Sequence, residues 1–126
     1  MLDTHALLWV LLSPERLPPA TLDLVADTET ALWVSAASAW EIGAKFRLGK
    51  LPGVQAVVHG YNGHLSRLRA EEPPMSSKHA LAAGLLTWGH RDPFDRMIKA
   101  QCMTESLGLV TADRAMAALP GLQVVW

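Results

Sequence analysis

Disulfide chemistry is nearly absent from this chain. Cys102 is its single cysteine, and one thiol cannot build an internal disulfide framework, which favours a reducing compartment. Long apolar runs are missing too: the longest, residues 6–12, is far short of the roughly 18 residues that a membrane-spanning helix needs. Asp3 and His5 stand where a secretory signal would be basic, and no small-residue cleavage site follows, so a cytoplasmic protein is expected. Neither sign of charge dominates. Eleven Lys and Arg against twelve Asp and Glu leave a formal charge of −1, which neither demands nor excludes a nucleic-acid partner, so the location of the charges has to decide. There is no repeat, low-complexity tract or linker. The H-E-x-x-H and Cys-paired histidine patterns of zinc sites are also absent.

What is present describes an ordinary core. The 126 residues are 50% hydrophobic and 18% charged, well outside the composition of disordered chains. A chain of this length buries roughly 65–70% of its unfolded surface and needs no disulfide or structural metal. A single domain over 1–126 is expected. Short apolar runs alternate with helical stretches. Met1-Leu2, residues 31–35, a weak run at Pro74-Met75, residues 107–111 and residues 122–126 read as strands. Residues 4–12, 19–26, 36–48, 54–65 and 77–86 read as helices, with Ser35 and Ser76 as caps and Gly60 to Gly63 weakening the fourth. The best-marked helix has Asp92 as N-cap and Pro93 at its first position, ends before Gly108, and carries Phe94, Ile98 and Cys102 on its apolar face. This alternation implies an α/β fold with parallel pairing and crossover helices on both faces.

Ligands of open parallel sheets lie beyond the carboxyl ends of the strands, which directs attention to four carboxylates. Asp3 directly follows the first run, Glu41 lies in the second turn of the helix after the second, Asp95 sits in the first turn of the Asp92 helix, and Asp113 comes two residues after Thr111. Each has an alternative role. Asp3 can cap a helix, Glu41–Lys45 and Asp95–Lys99 can be i,i+4 surface pairs, and Asp113 can cap a short helix over 114–119. Together they mean more, because converging carboxylates repel, raise one another's pKa and call for a cation. All-oxygen ligands with retained waters suit Mg²⁺ or Mn²⁺ rather than zinc. His59, His64 and His79 read as surface or core residues; His5 and His90 lie nearer the acids, and neither is assigned a direct role. Asp92 is assigned to capping.

Six cations flank the acids: Lys45, Arg47 and Lys50 after Glu41, and Arg91, Arg96 and Lys99 around Asp95. Discounting the four acids moves the formal charge from −1 to +3. Phosphate contacts and ordinary solvated helix faces are both open to these side chains. Five tryptophans, Trp9, Trp33, Trp40, Trp88 and Trp126, divide between core and interface roles.

Asp3-Thr4-His5, Ser35-Ala36-Ala37-Ser38-Ala39-Trp40-Glu41, His90-Arg91-Asp92-Pro93-Phe94-Asp95-Arg96 and Thr111-Ala112-Asp113-Arg114 occur in that order. The ordered set resembles the PIN-domain family, specifically VapC-like toxins of toxin-antitoxin pairs, over essentially the whole chain. The resemblance implies a three-layer fold with a parallel five-stranded sheet in the order 3-2-1-4-5. It also implies a Mg²⁺- or Mn²⁺-dependent endoribonuclease whose metal and catalytic residues are Asp3, Glu41, Asp95 and Asp113. A homodimer, and a cognate antitoxin whose C-terminal segment covers the site, are the implied partners besides RNA. One departure is that only Met1 and Leu2 precede Asp3, where such proteins carry several apolar residues, which points to a start upstream of Met1. Two rivals remain. A phosphoaspartyl enzyme or receiver shares size and class, but the place of a phosphatase's second aspartate is His5, and neither the paired acids nor the late lysine of a receiver is evident. A catalytically silent module of the same fold is the other.

Overall fold

The computed structural model describes residues 1–118 and 120–126. Several of its helices begin where short polar side chains accept the otherwise unbonded first amides of a helix. Asp3 accepts the Ala6 N–H at 2.6 Å and opens α1 (Thr4–Leu12). Pro18 and Pro19 open α2 (Pro19–Ala26) after a 3₁₀ turn over Pro14–Arg16. β1 (Leu32–Trp33) leads through Val34 to Ser35, whose hydroxyl accepts the Ala37 N–H at 3.1 Å and starts α3 (Ala36–Arg47). Gly49 ends that helix at φ +70°, the left-handed turn that glycine takes without a Cβ penalty.

Where one helix is expected over 54–65, the chain forms α4 (Gln55–His59) and α5 (Tyr61–Leu68), broken at Gly60. Glycine is the weakest ordinary helix former, so the break falls there. The third strand also differs from expectation. It is β2 (Ala70–Glu71), ahead of the prolines, and not Pro74-Met75. Prolines lack the N–H that a ladder requires, so pairing stops before Pro73.

Next come α6 (Ser77–Leu85), α7 (Pro93–Glu105), β3 (Leu109–Val110), α8 (Arg114–Ala117) and β4 (Val124–Val125). α8 is shorter than the expected 114–119, and Leu119 lies outside the described residues.

Every pairing among the described residues is parallel. Leu32 and Trp33 face Ala70 and Glu71, and Leu109 and Val110 face Val124 and Val125. Between these pairs, Leu2 makes single parallel bridges to Val34 and to Val110. Successive residues of an extended chain point to opposite faces, and the core divides accordingly. Leu2, Val34 and Val110 pack with Leu7 of α1, Ile42 of α3, Val57 of α4 and Leu65 of α5. Met1 and Leu109 pack on the other side with Ile98 and Cys102 of α7 and Met116 of α8. The result is a layer of short parallel strands between two helical layers. Each large aliphatic side chain buried there contributes about 1.5–3 kcal/mol. Cys102 belongs to this packing, and burial pushes its thiol up to about 11, which leaves it unreactive. No helix among the described residues is long and apolar enough to cross a membrane.

Candidate metal centre

The strands bring their following residues to one edge, and helix capping fixes two of the four acids there, with a third cap, Asp92, beside Asp95. Asp3, at 4% exposure, is held by its bond to Ala6 at the start of α1. Asp113 follows β3 and caps α8, accepting the Ala115 N–H at 2.7 Å, while its own N–H donates to Thr111 Oγ1 at 3.0 Å. Asp92 caps α7 through the Phe94 and Asp95 amides at 2.8 and 3.3 Å. That cap turns Asp95 toward the same edge.

Asp95 does not pair with Lys99. Its Oδ2 lies 2.6 Å from Nε2 of His90, and single ligand atoms of His90, Asp95 and Asp113 all fall within 4.8 Å of one another. Asp3 and Glu41 stand outside this triplet. Electrostatics connects them: burial, with a smaller contribution from the Glu41 charge, pushes the Asp3 carboxyl above its usual range against hydrogen bonds from Ala6 and Thr111. Burial likewise raises Asp95, helped by the charges of Asp92 and Glu41 and opposed by His90.

Glu41 is 2% exposed. Lys45 pairs with its Oε1, as i,i+4 spacing on α3 allows, but its Oε2 is buried with no hydrogen-bond partner. An unpaired buried carboxylate oxygen is costly. A cavity of about 530 Å³ is lined by Trp33, Glu71, Glu72, His79 and Glu105. It lies at the other end of α7, about 15 Å along the helix from Asp95, so cavity size does not locate the acids.

Residues 1–122 match the family described as PIN domain. The chain belongs to the PIN-domain family. A solved structure with the same fold is that of VapBC2 from Rickettsia felis bound to a DNA fragment from their promoter. It shares 20% identity over 100% of this chain and 97% of the other, at a TM-score of 0.70. No curated protein matches the chain.

The donors in this PIN domain fit a divalent cation. The buried and unpaired Glu41 Oε2, the Asp3 and Asp95 carboxyls raised by burial and by the Glu41 charge, and the compact His90, Asp95 and Asp113 atoms together supply carboxylate oxygens and one imidazole nitrogen where positive charge is wanted. Three of the expected phosphate contacts are engaged elsewhere. Lys45 holds Glu41. Lys99 is 2% exposed with its ammonium 4.8 Å above the Trp88 ring, and burial lowers its pKa.

Arg96 donates to five carbonyl oxygens, of Ala83, Gly84, Leu86, Trp88 and His90, at 2.7 to 3.3 Å. That uses all five guanidinium N–H groups. Arg47, Lys50 and Arg91 remain exposed. The residue that sequence reasoning set aside is His90. The available signal was its place five residues before Asp95, across a loop whose direction no local pattern gives.

Proposed function

We infer that this PIN domain, a single domain over 1–126, is a metal-dependent endoribonuclease acting as the VapC-like toxin of a toxin-antitoxin pair. The observation that carries the reading is the buried Glu41 Oε2 without a partner, whose charge acts on two further carboxyls, Asp3 and Asp95, that burial already raises. Asp3 and Asp95 would hold Mg²⁺ or Mn²⁺, Glu41 would complete the shell or orient a water, and Asp113 would support it. When bound, such an ion lowers the pKa of a water and stabilises charge on the attacked phosphate. The chain's own contribution is positioning. Lys45 fixes one oxygen of Glu41, His90 fixes one oxygen of Asp95, and the α1 and α8 caps fix Asp3 and Asp113. Arg47, Lys50 and Arg91 would take the RNA phosphates, contacts that position a strand without reading its sequence.

The parallel bridges of Leu2 to Val34 and Val110 support the five-strand order 3-2-1-4-5. Partners are supported by the VapBC2 likeness and by apolar side chains left in solvent, among them Trp40 at 61% and Leu85 at 80% exposure. Trp40, Met75, Pro93 and Met97 line an apolar depression of about 210 Å³ near the acids, a fitting seat for the antitoxin. The homodimer and a cytoplasmic setting belong to the same reading.

The test is cleavage of structured RNA by purified protein, first in EDTA and then with Mg²⁺ or Mn²⁺ restored. Activity should stop and return. Undiminished activity in EDTA sinks the metal mechanism, and no activity in metal-replete protein makes the chain a silent interaction module.

A further inference from the structure

His90 is placed by more than its bond to Asp95. Its ring stacks on Trp88 with centroids 4.6 Å apart and planes inclined by 29°. Its backbone carbonyl is one of the five that Arg96 holds. Trp88 is fixed in turn by Lys99 over its ring and by Arg96 on its carbonyl. The imidazole is therefore oriented independently of the carboxylate it faces.

Ligands on opposite sides of a divalent ion lie about 4.2 Å apart, and adjacent ones about 3.0 Å, for bonds of about 2.1 Å. One ring nitrogen of His90 and single oxygens of Asp95 and Asp113 lie within 4.8 Å of one another, and Nε2 of His90 is 2.6 Å from Oδ2 of Asp95. A set within that span has the size that the ligands of one ion occupy. A second observation points to a cation here: Glu41, 2% exposed, leaves Oε2 unpartnered, and its charge acts on Asp95.

Resting on the metal-nuclease reading above, we propose that His90 Nε2 is itself a metal ligand, making this a mixed nitrogen and oxygen centre that favours Mn²⁺ over Mg²⁺. Imidazole suits transition ions, whereas Mg²⁺ keeps to carboxylates and water. As a ligand, Nε2 would offer its lone pair to the ion, and the ring proton would be carried on Nδ1.

The experiment titrates the full chain with Mn²⁺ and records pulsed electron paramagnetic resonance. Wild type should show a directly bound nitrogen, whose signal changes isotope pattern in protein labelled with ¹⁵N-histidine. The labelled wild type needs no variant to fold. His90→Gln should lose the coupling and bind Mn²⁺ at least about tenfold more weakly, since losing even an outer partner of a ligand costs that much. His5→Gln should keep both, although His5 acts on the Asp3 charge. Bound Mn²⁺ without a nitrogen signal, or a signal that survives His90→Gln, overturns the proposal and leaves the metal centre standing. Failure of wild type to bind Mn²⁺ at all overturns the proposal together with the metal-nuclease reading.

Discussion

Asp3 and Asp95 carry opposite costs in the empty and the filled centre. Burial favours their protonated forms, and neighbouring carboxylates add to the effect. A carboxyl whose folded pKa lies above its unfolded one gives stability that is complete below the unfolded value and is lost as pH rises through the folded value. For both residues that window opens at 3.8 and extends upward. At neutral pH, therefore, both ionised side chains destabilise metal-free protein. Asp3→Asn keeps an oxygen for the Ala6 N–H, and asparagine caps as well as aspartate. Metal-free Asp3→Asn and Asp95→Asn proteins should melt above wild type at pH 7, with the gap closing as the pH falls toward 3.8, and both should fail to cleave RNA. Melting curves over pH decide the matter. Variants that melt well below wild type at pH 7 would mark the two acids as structural.

At the scale of elements, Arg96 makes most of the hydrogen bonds that hold the segment between α6 and α7. The last carbonyls of α6 have no partner within the helix, and Arg96 serves them together with those of Trp88 and His90. Lysine has three donors on a point charge and cannot reproduce the fork. Arg96→Lys should cost about 1–3 kcal/mol, the range for unsatisfied buried acceptors, and should speed amide hydrogen exchange across 86–91 while leaving α1 protected. Unchanged exchange in that segment would show that Arg96 does not hold it.

The same segment separates what sequence could and could not tell. Caps are local, so Asp3, Ser35, Ser76, Asp92 and Asp113 were legible, and each accepts a helix amide. The convergence of strand ends follows from parallel alternation, which made the acids legible as a group. β2 was not legible, because two residues squeezed between a helix and two prolines carry no alternation. The inward turn of Arg96 and Lys99, and the meeting of His90 with Asp95, depend on how a loop folds back over α7, and no spacing in the chain encodes that.

For the molecule as a whole, the candidate ligands span the chain from Asp3 to Asp113 and sit at the starts of α1, α7 and α8 and on α3. An ion bound by these segments binds only the folded state, because an unfolded chain cannot gather them. Linkage then sets the size of the effect: free ion at 100 times its Kd adds about 2.7 kcal/mol, several degrees of Tm for a chain of this length. Mg²⁺ or Mn²⁺ should therefore raise the melting temperature of wild type, and the rise should grow with the logarithm of ion concentration. Asp113 tests how far the shell extends. Asp113→Asn retains an oxygen for the Ala115 N–H, so its metal-free stability should match wild type within about 0.5 kcal/mol, as for a cap exchanged between equivalent acceptors. Its metal-induced rise should be smaller. If Asp113→Asn gains as much from the ion as wild type does, the shell closes without α8, and the ligands are confined to the segments carrying Asp3, Glu41, His90 and Asp95.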